Sequence, residues 1–337
     1  MDNSRHCNPI LCLAPNAAYQ TTLLFSHFGQ GQVNRALKQA NSLGGKGQNF
    51  TVASLGFTAS ADRLTLLQIL GGSTATLIEA LEHDLHIDYV TVRTPQQTRS
   101  CTTCIDSSSG SITELVGTSD AIAPEAAAEF EAMALYLLQP KCSPPPRALA
   151  LCGSFPPGLD PDSVARIVSA AKSTGRTMVF VDAAKDIHPV LATKCIDVLK
   201  INSAEAASLA SACDSPNTAQ IATHLAHRYS IGVVAVTDGP GAAYLADLRN
   251  DACYELRVPD LLEEGNEHFV GMLNPIGAGD TCSAVMVNAL IDGVEAVDAF
   301  ALGLAAASAS CLVLMPNCVF DINVMSRIRS KITIAKL

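Results

Sequence analysis

Asn274-Pro275-Ile276-Gly277-Ala278-Gly279-Asp280-Thr281 gathers the residue types that phosphoryl transfer to an alcohol requires. Glycines at 277 and 279 let backbone N–H groups converge toward an anion, and the helical pattern beginning at Thr281 adds its partial positive charge. Asp280 stands at the same spot, where its carboxylate could accept the proton of an attacking hydroxyl. The plainer reading of these residues is a glycine turn whose aspartate caps a helix.

Leu43-Gly44-Gly45-Lys46-Gly47-Gln48-Asn49 is a second glycine-rich turn, again followed by a helical pattern, through Leu55. Its spacing is not that of a Walker P-loop. Glycine admits a ligand close to the backbone, Asn49 offers a donor and an acceptor for hydroxyls, and Lys46 adds a charge suited to phosphate. Asn202 and Glu205 lie three apart just after a strand, a spacing that sets both on one helix face, where their oxygens can order the water shell of Mg2+. Lys200 enters the same crevice. The structural alternatives are a helix cap for Asn202 and a solvated charge for Glu205. Gly153-Ser154-Phe155-Pro156-Pro157-Gly158 and Thr237-Asp238-Gly239-Pro240-Gly241 also follow strand ends. Alone each is a turn; their repeated placement after successive strands aligns them along one crevice.

The elements that must position these loops follow from the apolar pattern. From about residue 124 onward, helical stretches (Pro124–Leu138, then one opened by Asp160-Pro161 and closed by Gly175) alternate with short apolar strands. These strands are Arg147–Cys152, Met178–Val181, Asp197–Leu199 and Val233–Val236. The alternation predicts an α/β fold, a parallel sheet covered on both faces with ligands at the carboxyl ends of its strands. Tyr19–Leu43 and His86–Gly117 break the rhythm with β-prone runs (Tyr89–Val92, Cys101–Asp106, Ile112–Val116), read as strands that leave the main sheet and form a cover. Pro144-Pro145-Pro146 reads as a short stiff loop.

At 337 residues, 48% hydrophobic and 16% charged, the chain is expected to form one large domain with a small accessory element. The net charge of −10 argues against a nucleic-acid partner. No apolar run reaches membrane-spanning length; Ala299–Met315 reads as a buried helix. The start of the chain carries no export-signal pattern. Most of the twelve cysteines, among them Cys12, Cys152, Cys195, Cys282 and Cys311, sit in apolar patterns, as expected of reduced cytoplasmic thiols. Cys101-Thr102-Thr103-Cys104 lacks a second ligand pair for zinc and reads as structural.

Together these segments resemble the PfkB (ribokinase-like) carbohydrate kinases over nearly the whole chain. The most specific motifs are Gly44-Gly45-Lys46-Gly47-Gln48-Asn49 and Gly277-Ala278-Gly279-Asp280-Thr281. Ala14–Thr21, Gly29–Ala36, Gly71-Gly72-Ser73-Thr74 and Thr98-Arg99-Ser100 are similar to the hexose-phosphate branch, the 1-phosphofructokinases and tagatose-6-phosphate kinases. The resemblance implies a single ribokinase-like catalytic domain, a three-layer α/β/α unit with a β-sheet lid drawn from about 19–43 and 86–117. It implies ATP as donor and a ketohexose phosphate as acceptor, fructose 1-phosphate before tagatose 6-phosphate or fructose 6-phosphate. It implies Asp280 as general base and the N–H groups of Gly277, Ala278 and Gly279 as holders of the transferred phosphoryl. Lys200, Asn202, Thr237, Gly239 and Gly241 would meet the nucleotide, and Asn202 and Glu205 would position Mg2+. Gln20, Gly44, Gly45 and Asn49 would face the sugar, and Lys46 and Arg99 its phosphate. A homodimer through the lid is a further expectation. Two departures stand out: Gln20 replaces the family's hydroxyl-binding aspartate, and Ala75 replaces a frequent glycine. They leave open a kinase of an unphosphorylated sugar or nucleoside, or a sugar-phosphate sensor without catalysis.

Overall fold

Short runs that are apolar at every position, such as Ile10–Ala14 and Val233–Val236, need cover on both sides, and the computed structural model supplies it. It describes residues 8–139, 145–210, 217–265 and 269–337; Pro144 of the triple-proline loop lies outside them. In chain order the strands are β1 (Ile10–Ala14), β2 (Ala18–Phe25), β3 (Lys38–Gly44), β4 (Leu64–Gly71), β5 (Asp88–Thr94), β6 (Ser100–Asp106) and β7 (Ile112–Val116). They continue as β8 (Ala148–Cys152), β9 (Met178–Asp182), β10 (Val198–Asn202), β11 (Val233–Thr237), β12 (Ala243–Asp247), β13 (Ala252–Arg257) and β14 (Thr333–Lys336).

Ten strands form the main sheet in the order β14-β13-β12-β11-β10-β9-β8-β1-β4-β5. The run from β11 to β5 is parallel, and β12, β13 and β14 join antiparallel at one edge. Alternate side chains feed two cores. Ile10, Cys12 and Ala14 face the helices Lys46–Thr58, Ala278–Ile291 and Ala296–Cys311, while Leu11 and Leu13 face the layer of Pro124–Leu137 and Pro161–Ser173. The first face is lined by small residues (Cys12, Ala14, Ala148, Ala150, Cys152), so the helices that carry the glycine-rich motifs press close to the sheet. Gly47 stands directly on β1: a Cβ there would lie 2.2 Å from that of Ala14.

The second sheet, β3-β2-β6-β7, is the expected lid, with β2–β3 and β6–β7 antiparallel and β2–β6 parallel. One assignment is corrected. Tyr89–Val92 does not belong to the cover; it lies in β5, which pairs parallel with β4 as the edge of the main sheet. Its alternation suited either place, and packing of Val92 into the core under Pro124–Leu137 decides for the main sheet. The Asp160 side chain accepts from Asp162 N and Pro161 opens the helix, while Gly175 takes φ +68 just beyond its end. No helix among the described residues is long and apolar enough to cross a membrane. The nine described cysteines are all free.

Candidate active site

Pro275 to Ala278 forms a tight turn in which Ala278 N–H donates to the Pro275 carbonyl at 3.1 Å. Gly277, at φ 79° and ψ 0°, holds the third position, which demands a left-handed residue. A side chain there is also excluded by space, since a Cβ would come within 2.3 Å of Cys318 Sγ. Asn274 braces the turn: its amide donates to Leu314 O and to Asn317 Oδ1, and its oxygen accepts from Ile276 N. The helix Ala278–Ile291 then starts with no side-chain cap. An uncapped start exposes donors and a positive dipole end to an incoming anion. Because Ala278 N–H closes the turn, it is less available to such an anion than the sequence implied.

The other glycine loop meets this turn. Gly45 (φ 97°) packs against the carbonyl of Asn16, which a Cβ would approach to 2.9 Å, and it starts the helix Lys46–Thr58, likewise without a side-chain cap. One turn in, Asn49 Nδ2 donates to Asp280 Oδ2 at 2.8 Å. Residues 231 apart in sequence are thus joined by one hydrogen bond. Asp280 is 7% exposed. Burial, and then the neighbouring charge of Asp182, push its carboxyl up to about 7, against the opposing pull of Lys46, the Asn49 amide and Lys200.

Asp182, at the end of β9, was not among the residues singled out from sequence, yet it organises the charges here. Its carboxylate accepts from Lys46 Nζ (2.9 Å), Lys200 Nζ (3.3 Å) and Ser283 Oγ (2.5 Å). Burial opposes its charge, but Lys200, Lys46 and Ser283 outweigh that and hold it below the ordinary carboxylate range. The signal was present: a carboxylate closing an apolar strand, in the row of strand ends that carries the other loops.

Two cations have partners here that the sequence did not show. Lys46 was grouped with Arg99, but its ammonium bridges Asp182 and Glu205 (3.2 Å), because the buried Asp182 charge demands a partner. Lys200 is enclosed, 3% exposed, and also donates to Gly279 O at 2.9 Å. A Cβ on Gly279 would lie 3.0 Å from that ammonium. Asn202 and Glu205 cap the helix Ser203–Leu209 reciprocally, Asn202 Oδ1 accepting from Glu205 N and Glu205 Oε2 from Asn202 N. β10 extends to Asn202, and its register sets Asn202 beside Thr237 at the end of β11. Thr237 leads into a turn in which Gly241 N–H donates to Asp238 O and Gly239 takes φ +53.

A cavity at the ends of β1, β4 and β5 is lined by Asn16, Thr98, Arg99 and Ser119 among others, and not by Lys46. Arg99 donates from Nη2 to Asn16 O at 3.3 Å, the carbonyl on which Gly45 rests, while its Nε is buried with no partner. Gln20 is 3% exposed and close to the loop: a Cβ on Gly44 would lie 3.0 Å from its own. Its amide nitrogen donates to Thr103 Oγ1 (3.0 Å) and Thr21 O (3.1 Å).

A model described as pfkB family carbohydrate kinase matches residues 14–317. A tagatose-6-phosphate kinase of Staphylococcus epidermidis is 23% identical over 285 residues, covering 84% of this chain and 85% of that protein. Phosphofructokinase-2 from Escherichia coli, solved in complex with substrates and products, has a TM-score of 0.81 over 96% of this chain and 98% of its own, at 21% identity. A structure named as a possible 1-phosphofructokinase from Thermotoga maritima has a TM-score of 0.81 at 18% identity, over 97% and 99% of the two chains.

Proposed function

The chain belongs to the pfkB family of carbohydrate kinases, and from that premise we propose that it transfers the γ-phosphoryl group of ATP to a hydroxyl of a ketohexose phosphate, with Asp280 as general base. The observation that carries this reading is the Asn49–Asp280 hydrogen bond, which sets the sugar-facing loop against the carboxylate beside the uncapped helix start. In this reading the acceptor hydroxyl lies against both residues. As its oxygen bonds to the γ-phosphorus, its proton passes to Asp280 and ADP departs. The start of the helix Ala278–Ile291 faces the negative charge of the phosphoryl in transit, with the N–H groups of Gly277 and Gly279 foremost.

Glu205 and Asn202 supply hard oxygen donors suited to Mg2+, which would offset phosphate charge when bound. Both Glu205 oxygens and the Asn202 oxygen already carry hydrogen bonds, so these residues would hold the ion through its waters. Thr237, Gly239 and Gly241, beside Asn202, receive the nucleotide.

Arg99 is assigned the phosphate already on the acceptor, because a guanidinium with a buried, unpartnered Nε lines that cavity. Lys46 stays with Asp182 and Glu205 at the seam between acceptor and donor. The similarity to a tagatose-6-phosphate kinase supports a phosphorylated acceptor. Fructose 1-phosphate is the leading candidate, then tagatose 6-phosphate or fructose 6-phosphate. ADP-coupled turnover measured across these sugars and their unphosphorylated forms tests the proposal. Activity confined to free sugars or nucleosides would reject the phosphate assignment, and binding without ADP release would reject catalysis.

A further inference from the structure

The chain passes from the main sheet to the lid through residues 95–99, between β5 and β6. Arg99 is the last residue before β6, and its carbonyl accepts from Tyr19 N in β2 at 3.0 Å. Where Arg99 stands therefore depends on what holds this crossing, and the hold is unusually dense. Gly71 N donates to Thr98 Oγ1 (2.9 Å) while Thr98 N donates to Gly71 O (3.0 Å). Thr74 Oγ1, in the first turn of the helix Gly72–Asp84, donates to Thr98 O at 2.6 Å and accepts from Gln97 Nε2 at 2.7 Å. Gln97 Oε1 in turn accepts from Ser73 N (3.1 Å), capping that helix start from another part of the chain. The Thr74 hydroxyl is the common point: it takes part in two of these bonds, and it is buried, with Thr98, at 8% and 9% exposure.

We propose that Thr74 is a positioning residue for acceptor recognition: its hydroxyl pins the 97–98 segment to the helix start and so sets Arg99 over the acceptor-phosphate cavity. The inference rests on the reading of Arg99 given above. Nothing in the pin touches Asp280 or the nucleotide loops, so it acts on acceptor affinity and leaves transfer alone. A purely structural threonine would change thermal stability without separating the two substrates.

The test is steady-state kinetics with the phosphorylated acceptor and with ATP. Thr74→Val keeps the shape and removes the hydroxyl. It is expected to raise KM for the phosphorylated acceptor about tenfold, with kcat and KM for ATP within about twofold, as for one lost hydrogen bond that acts on binding alone. Thr74→Ser is expected to restore the wild-type KM. Gln97→Ala, at an exposed position, removes the amide that donates to Thr74 Oγ1; it is expected to shift KM in the same direction and serves if Thr74→Val does not fold. An unchanged acceptor KM in Thr74→Val, or in Gln97→Ala where the first does not fold, would overturn the inference if Arg99→Ala still raises it. If Arg99→Ala leaves KM unchanged, the phosphate assignment of Arg99 fails, and this inference falls with it.

Discussion

Asp280 holds a carboxyl where its charge is costly, and Asp182 holds one where charge is secured. Both are buried, but Asp182 has two ammonium groups and a hydroxyl, while Asp280 has one amide donor and a carboxylate neighbour. Two acids driven apart in this way take different roles: one stays ionised and orders cations, and the other can exchange a proton near neutrality. As the proposed base, Asp280 must be ionised to act, and its folded value lies above the ordinary 3.8, at about 7. Activity with limiting acceptor is therefore expected to rise with pH through about 7, as the carboxyl loses its proton. Asp280→Asn is expected to lower kcat about 100-fold or more and to abolish that acid limb, read in a coupled ADP assay from acid to alkaline pH. Turnover near wild type in that variant would remove Asp280 as the base. Gln20 illustrates the same scale. Its amide nitrogen is tied to Thr103, so the lid wall beside Gly44 is neutral where a carboxylate would carry charge.

Among the elements, the helix Gly72–Asp84 and β4 share a buried polar chain. Gln48 donates to Gln68 at 2.9 Å, and Gln68 donates to Glu82 at 2.8 Å, leaving Glu82 Oε1 buried without a partner. Burial drives the Glu82 carboxyl up to about 8, against the Gln68 amide. The folded value thus lies above the unfolded one, near 4.5, so between these limits the fold binds more protons than the unfolded chain. This group's contribution to stability is present below about 4.5 and is lost as pH rises toward about 8, by at most about 1.4 kcal/mol per pH unit. Glu82→Gln, neutral at every pH, is expected to flatten that decline and to raise Tm relative to the wild type above pH 8. Unfolding curves from pH 5 to 9 that keep the same slope in both proteins would show that Glu82 is not the group responsible. This polar chain reaches Gln48, in the first turn of the helix that carries Asn49, so a polar strut runs from the helix Gly72–Asp84 through β4 to the second glycine-rich loop.

The whole molecule presents one sheet that is wrapped and one that is not. Seven strands of the main sheet lie between helices, whereas the lid shows β7 with Leu115 and Val116 more than half exposed. Val33 and Leu37, in the loop joining β2 to β3, are exposed as well. Edge strands with apolar side chains favour pairing, and a second copy of this chain offers the same edges. We propose a homodimer through the lid. Sedimentation at micromolar concentration is expected to give a dimer, and Leu115→Lys with Val116→Lys to shift it to monomer without unfolding. A wild-type monomer at all concentrations would remove that proposal.

Strand alternation determined the parallel strands from β8 to β11 and most of the lid runs, and motif order determined the glycine-rich loops beside the strand ends. Glycines at 45 and 277 and the carboxylate at 280 are local requirements, legible because backbone sign and residue chemistry do not depend on distant partners. Tertiary structure decided the pairings. That Lys46 answers Asp182 and Glu205, that Asn49 reaches Asp280 across the chain, and that Tyr89–Val92 lies in the main sheet all follow from burial. A buried charge must find its counter-charge, and an alternating strand goes where its apolar face is covered. Neither the depth of a site nor the neighbour across a crevice is written in the spacing of residues along one segment.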